Sequence, residues 1–167
     1  MDIIQTPDFL DVAQKLKGDA RRFARVYCLQ WFDDSFQNQG FTDSTYVAWD
    51  KRKNPDKRPG GAILTNTTFL RRSLAVLSEN ESSMQFGTPV QYAIVHNSGL
   101  RVRAIQNVRG YHNKNFMGTG KRVQIRPHMR KMDAKYPQRQ FIGHSQQMML
   151  GLNDWIMTEI QKRFNQQ

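Results

Sequence analysis

The stretch FGTPVQYAIVHNSG, Phe86 to Gly99, decides how the middle of the chain is organised. Its start belongs to a hairpin: Arg72 to Leu77 reads as a strand, Ser78 to Ser83 as a turn, and Met84 to Gly87 as the returning strand. The apolar run from Val90 to Val95 predicts either a strand end or a short helix. The closing Asn-Ser-Gly triplet is a turn signal.

Two amphipathic helices flank this centre. From Phe9 to Phe36 apolar residues recur at steps of three and four, and Thr6-Pro7-Asp8 predicts the start of that helix, with Gly40 as its stop. From Ser145 to Phe164 the same spacing recurs, with Ser145 as the expected cap. The order of elements predicts an α+β fold: a small antiparallel sheet packed by N- and C-terminal helices, with a long basic insertion.

Positive charge is concentrated in one segment. The chain of 167 residues has a net charge of +11, and the stretch from Leu100 to Arg139 carries +10 of it. This stretch contains eleven basic residues and one acidic residue, Asp133. Such a local field attracts polyanions or an acidic protein face. The residues expected to contact a partner or DNA are Arg101, Arg103, Arg109, Lys114, Lys121, Arg122, Arg126, Arg130, Lys131 and Arg139.

This basic segment divides an otherwise continuous chain. We expect residues 1–167 to form a single domain, with 100–137 as an extended insertion. Two structures fit the insertion. It is either a long β-hairpin, with arms near Val102–Val108 and Val123–Ile125, or a disordered basic loop, because loops beyond about 12–15 residues are usually functional or disordered. Its aromatic residues, Tyr111, His112, Phe116 and Tyr136, offer rings that stack on bases.

The residue pattern argues against catalysis, a metal site or a bound cofactor. No two histidines stand at helical i, i+4 spacing and no CxxC exists, so a zinc site has no support. MGTGKR, Met117 to Arg122, lacks the spacing of a phosphate-binding loop. His96 is considered as a nuclease histidine, but no carboxylate lies between Glu81 and Asp133. Cys28 reads as a small buried hydrophobe.

Location is inferred from what the sequence lacks. No apolar run approaches the roughly 20 residues of a membrane span. The start MDIIQTPDFLDV lacks the layout of a signal peptide, and Cys28 is the single cysteine. We therefore expect a protein made in a cytoplasm and used there or within a larger particle, with no membrane partner.

Three blocks, in order, resemble a known family. They are Trp49 followed by ILTNTTFLRRSL (Ile63 to Leu74), FGTPVQYAIVHNSG, and PQRQFIG (Pro137 to Gly143) before the last helix. This is similar to the virion morphogenesis, or tail completion, family of tailed bacteriophages. The matching residues taken as its structural motif are Trp49, Leu70, Gly87, Tyr92, His96, Gly99, Pro137 and Phe141.

The resemblance implies a structural subunit without a catalytic centre. Members of that family form rings, often hexameric, at the neck or head-proximal tail end of the virion, where they join head and tail. The implied partners are other copies of the chain, head-connector proteins and tail proteins, and the implied location is the virion after assembly in the host cytoplasm. The basic insertion would meet either packaged DNA in the ring or acidic residues of an adjacent ring; we favour the second.

Particular roles follow for the motif residues. Gly87 is expected at positive φ, Tyr92 to pack inward with Ile94 or Val95, His96 to hydrogen-bond backbone at the turn closed by Gly99, and Arg139 to pair with a neighbour's carboxylate. Thr68 stands where the family usually has glycine, so the turn there is expected to differ. Apolar surface for subunit contacts is expected from Phe32, Phe36, Phe41, Trp49 and Met149.

Two other functions remain open at this point. A nucleic-acid-binding protein without sequence preference would use the basic 100–139 segment, and retention on DNA that falls with salt would reveal it. A metal-dependent nuclease would require cleavage that His96→Ala abolishes. Both differ from the assembly role in requiring a ligand that is nucleic acid.

Overall fold

The computed structural model describes residues 9–53, 56 and 58–165. Helix α1 spans Phe9–Asn38. Its predicted cap, Thr6-Pro7-Asp8, lies outside the described residues. The helix ends just before Gly40, as expected, but the residue in the left-handed region is Gln39, at φ 58°. The Gln39 side chain compensates by donating to the Phe36 carbonyl, at 2.6 Å from Nε2.

Helix α4 spans Gln146–Asn165, and its start confirms the predicted cap. The Ser145 hydroxyl accepts from the Met148 N–H at 3.1 Å, which is the usual geometry of an N-cap. Asp43 adds a second cap, because its carboxylate accepts from the Gln146 N–H at 2.8 Å. The second bond ties the last helix to the turn that follows Thr42.

The two long helices pack against each other through aromatic rings. Phe23 of α1 stacks on Trp155 of α4 with ring centroids 4.3 Å apart. Further along, Cys28 and Phe32 of α1 are buried with Met148 of α4 in one core cluster. Burial raises the pKa of the Cys28 thiol to about 11, which is the behaviour of a packed hydrophobe.

The strands form four separate two-stranded antiparallel ladders where one small sheet was expected. Two of them belong to the body: β1 (Gly40–Thr42) pairs with β2 (Tyr46–Ala48), and β3 (Ala75–Glu79) pairs with β4 (Met84–Gly87). The second is the hairpin predicted from the sequence. Together with the helices these ladders confirm the α+β class.

Two short helices complete the body: the first lies between its two ladders, and the second lies between the second ladder and the basic segment. Helix α2 covers Phe69–Arg72 and buries Leu70. Helix α3 covers Ala93–Ser98, so the apolar run after Gly87 resolves as a helix. The core cluster between them contains Phe36, Trp49, Leu70, Val90, Ala93 and Phe141.

This core corrects the expectation about free apolar surface. Phe32, Phe36, Phe41 and Trp49 were expected to serve subunit contacts, but each is at least 93% buried within the chain. Met149 is 40% exposed. The body needs these aromatic rings because its ladders are short and offer few apolar side chains of their own.

The basic segment is a β-hairpin, here called the arm (Arg101–Lys135). Strand β5 (Arg101–Val108) pairs with β8 (His128–Lys135), and β6 (Tyr111–Asn113) pairs with β7 (Val123–Ile125) nearer the tip. A single 3₁₀ turn, Phe116–Gly118, lies in the tip. The expected partner of Val102–Val108 was Val123–Ile125, so the returning strand was placed wrongly.

Thr68 yields a stability prediction. It precedes α2 with φ 56°, in the left-handed region that glycine tolerates best. We expect the free energy of unfolding of Thr68→Gly to exceed that of Thr68→Ala by about 1 kcal/mol, because alanine keeps the Cβ that disfavours this conformation. Both variants lose the hydroxyl bond to the Thr67 carbonyl, so the comparison isolates the backbone. Equal midpoints in denaturant melts would contradict this explanation.

Candidate assembly surfaces

The motif block Pro137–Gly143 crosses the centre of the body and is held by aromatic packing. Phe141 is fully buried and its ring lies 5.2 Å from that of Phe36. Trp49 packs edge-on against Phe36 at 5.5 Å, and its indole Nε1 donates to the Gln140 carbonyl at 2.7 Å. Two of the three blocks are therefore joined by one buried ring system and one hydrogen bond.

Asn97 joins the remaining block to this segment. Its amide oxygen accepts from two backbone donors, the Phe141 N–H at 3.0 Å and the Ile142 N–H at 3.2 Å. The Arg139 N–H donates to the His96 carbonyl at 2.7 Å. From the sequence Asn97 indicated only a turn, because nothing in the local pattern shows that its side chain binds a segment 44 residues away.

Gly99 ends α3 in the left-handed conformation, with φ 68° and ψ 47°. A Cβ at this position would lie 2.7 Å from the backbone nitrogen of Gln138, closer than two such atoms can approach. The glycine is thus required twice, once by its conformation and once by the segment that crosses it. This explains the Gly99 position of the motif.

His96 has a structural environment that differs from the expected one. Its ring lies edge-on between Tyr92, at 6.2 Å, and Tyr136, at 5.4 Å. Nδ1 is buried and has no hydrogen-bond partner among the described residues, so the expected backbone bond is not formed by that atom. Burial, and to a lesser extent the nearby Arg139, lowers the pKa of His96 and favours the neutral imidazole.

Two further motif roles are corrected. Tyr92 and Ile94 are 46% and 62% exposed, so neither packs inward, whereas Val95, the alternative to Ile94, is half-buried; Ala93 is the residue that α3 buries. Gly87 does not adopt positive φ. Its lack of a side chain matters because a Cβ there would lie 2.4 Å from Cδ1 of Leu77, on the paired strand.

A shallow cavity of about 480 Å³, here called the motif groove, lies beside these residues. It is lined by residues 86–91, 93–94, 97–98 and 141–143, and none of them is charged. The exposed side chain of Ile94 belongs to its lining. The second and third motif blocks thus build the core on one side and an uncharged apolar surface on the other.

The register of the arm places its side chains on two faces, since opposite residues share a face and successive residues alternate. One face carries Val102 opposite Ala134 and Ala104 opposite Met132. The other carries Arg101, Arg103, Lys131 and Lys135 around Asp133, followed by Ile105 and Met129. Ile105 is 66% and Met129 73% exposed, and neither core cluster of the described residues includes an arm residue.

The structure separates the predicted contact residues into two groups. Nine of them lie on the arm and are exposed, of which Arg101 and Arg103 contact Asp133 and Arg130 donates to Gln106. Arg139 is the exception, being 92% buried. Its Nε and Nη2 donate to the Asp50 carbonyl, at 3.1 and 2.8 Å, where a neighbour's carboxylate had been expected.

Most carboxylates of the body are already paired with cations of the same chain. Glu79 is bridged by Arg21 and Arg25, and Asp33 by Arg71. The carboxylates of the body within salt-bridge distance of a cation are Asp11, Asp19, Asp33, Asp56, Glu79, Glu81 and Glu159. The described surface therefore has no broad acidic face.

Within the described residues there is no group of three or more histidine, cysteine, aspartate or glutamate side chains that could hold a metal ion. No helix among them is long and apolar enough to cross a bilayer. The conspicuous residues of the central stretch instead fix backbone segments to one another. The chain is thus a small α+β protein in which the residues of the sequence motifs hold the fold together.

Comparison with known proteins identifies the family to which this chain belongs. The model of the phage virion morphogenesis family matches residues 33–161, more than three quarters of the chain. The chain belongs to this family, and its role lies in the structure or assembly of a bacteriophage virion. The match begins within α1 and includes the arm and most of α4. No curated protein and no solved structure matches the chain.

Proposed function

We propose that this chain is a ring-forming subunit of the neck or head-proximal tail end, joins head and tail during virion assembly, and catalyses no reaction. Family membership supports the assembly role. The proposal of a ring at the head–tail junction rests on the arm, because apolar side chains of the arm are left exposed by the rest of the described chain.

An isolated two-stranded hairpin is at best marginally stable in water. This one also exposes Ile105, Met129, Tyr111 and Met117, each by more than half of its surface. Ile105 and Met129 are diagonal neighbours on one face, because Ile105 opposes Lys131 and Asn107 opposes Met129. A ladder of this kind gains stability when a neighbouring molecule covers that face.

The arm is long enough to reach a neighbour. From Arg101 to Asn113 an extended chain spans about 40 Å. A folded body of this size has a radius of gyration of about 14 Å. The tip therefore passes beyond the body from which it projects and can cross an adjacent subunit.

The motif groove is the surface that we assign to the neighbour's arm. It is apolar and uncharged, so a basic arm meets no repulsion there. Contact between the arm of one copy and the groove of the next joins two different surfaces of the same chain. Such heterologous contacts close into rings when the rotation between copies fits, and we propose a ring of six copies in the virion.

A matched pair of variants tests this contact. We expect Ile105→Glu to reduce the yield of particles with joined heads and tails about tenfold or more, because the new carboxylate, although Lys131 lies opposite it, would have to lose its water to enter an apolar groove. Gln106→Glu introduces the same charge one residue along, on the opposite face of the arm. Its carboxylate can still accept from Arg130, so we expect nearly normal yield. Counting joined particles by negative-stain microscopy measures both.

Equal yields for the two variants would contradict the arm contact. Melts of each purified variant serve as a control for folding.

The second candidate function, binding of nucleic acid, is favoured by the exposed cations at the tip, Lys114, Lys121 and Arg122. It predicts that removal of those charges abolishes retention on DNA and also prevents assembly, whereas the arm contact proposed here leaves assembly intact.

A further inference from the structure

A second concave surface lies at the base of the arm and has the opposite character. This root cavity, of about 440 Å³, is lined by Asp50, Lys51, Arg52, Lys53, Lys135, Pro137 and Arg139. Five cations and one carboxylate give it a formal net charge of +4. Its volume lies in the range of clefts that take small ligands or single side chains.

The cations of the root cavity are not equally engaged. Arg52 is used within the chain, since it donates to the carbonyls of Gly61 and Ala62 at 2.7 Å. Lys51, Lys53 and Lys135 are exposed and form no ion pair with any residue that the structure describes. These three ammonium groups are available to an anion.

The buried guanidinium of Arg139 independently favours an anion in this cavity. It is 92% buried, and no described carboxylate lies within salt-bridge distance of it. Two of its nitrogens donate to the Asp50 carbonyl, while Nη1 makes no hydrogen bond to the described residues. Burial lowers the pKa of this guanidinium, with Asp50 offsetting part of the effect. A buried cation without a counterion is unfavourable, and an anion in the cavity would relieve that cost.

The cavity also continues onto the arm. Lys135 lines the cavity and lies opposite Arg101 on the arm face that carries Arg103 and Lys131. Residues two apart on a strand point to the same side about 7 Å from one another, a spacing that an extended acidic peptide shares. Asp133 lies between Lys131 and Lys135 on this face and pairs with Arg101 and Arg103, so Lys135 is the cation that the base of the arm contributes to the cavity.

We infer that the root cavity binds an acidic peptide segment of a different virion protein, with one carboxylate beside Arg139 and others on the lysines that line the cavity, Lys51, Lys53 and Lys135. The inference rests on the proposed function only in placing that partner in the virion. A second copy is a poor donor, because carboxylates such as Glu79 and Asp33 are already paired within the chain. Duplex DNA fits less well, because its phosphates lie on a convex surface that a cavity of this size does not admit.

Binding of a fluorescent hexaglutamate peptide to the full chain tests the inference, with hexaglutamine as the neutral control. We expect the triple variant Lys51→Gln, Lys53→Gln, Lys135→Gln to weaken binding about tenfold. The matched variant Lys114→Gln, Lys121→Gln, Arg122→Gln removes the same charge from the arm tip. We expect it to change affinity less than twofold.

Three outcomes would overturn the inference: equal losses in the two triple variants, no preference for hexaglutamate over hexaglutamine, or tighter binding of a short DNA duplex that the cavity variant weakens most. Arg139→Lys adds a separate check. It keeps the charge but lacks the fork of donors, so we expect the peptide affinity to fall about threefold or more in protein that melts as a single folded species. Failure here leaves the ring proposal standing, because that depends on Ile105 and the motif groove.

Discussion

Replacing Phe141 with alanine is expected to lower the free energy of unfolding by about 3–5 kcal/mol. Its side chain is fully buried, and it contacts the ring of Phe36 in the core that also contains Trp49. Removing the ring leaves a cavity between α1 and the segment Pro137–Gly143, which the rigid aromatic neighbours cannot fill. Denaturant melts followed by tryptophan fluorescence measure the loss.

Phe69→Ala is the matched control for this variant. It removes the same ring from a side chain that is 60% exposed, so we expect a loss below about 1 kcal/mol. If Phe141→Ala costs no more than Phe69→Ala, the segment Pro137–Gly143 does not pass through the core, and the explanation of the third block is wrong.

The second large effect is expected at Gly99, where alanine should cost about 3 kcal/mol. Part of the cost comes from the left-handed backbone, at φ 68°. The rest comes from the Gln138 backbone, which lies where the new Cβ would stand. The Gln138 atoms closest to the added Cβ, N and Cα, belong to the backbone, so they cannot rotate away as a flexible side chain would.

Gly60→Ala separates the two contributions. Gly60 has φ 74° and nothing within 4 Å of an added Cβ, so it pays only the conformational cost, about 1 kcal/mol. Equal destabilisation of the two variants, measured in the same denaturant, would show that the approach of Gln138 to Gly99 does not constrain the fold.

The sequence predicted those elements whose side chains face a core. The spacing of Phe23, Tyr27 and Trp31 follows from packing of α1 against α4, so the pattern was readable. The capping role of Ser145 was readable too, because it depends on residues three apart. In each case the physical cause acts within one helix turn or along one helix face.

The returning strand of the arm was missed for a physical reason. Strand β8, HMRKMDAK, mixes basic and apolar residues, and most of its side chains are exposed. Burial normally enforces alternation of apolar and polar residues on a strand. An arm that leaves the body has no such requirement, so neither the strand nor its register appears in the pattern.

The contacts that build the motif were missed because they connect distant parts of the chain. The Trp49 indole reaches the Gln140 carbonyl across 91 residues, and Asn97 reaches Phe141 across 44. The resemblance indicated that these blocks belong together but not which atoms join them. Tyr92 shows the reverse error: an aromatic residue in an apolar run was expected inside, but the helical turn of α3 places Ala93 there.

Electron microscopy of particles assembled without this chain tests the central claim most directly. The ring proposal predicts complete heads and complete tails that remain separate, and joined particles when the purified chain is added back. Joined, infectious particles in its absence would contradict the proposal that this chain connects head to tail.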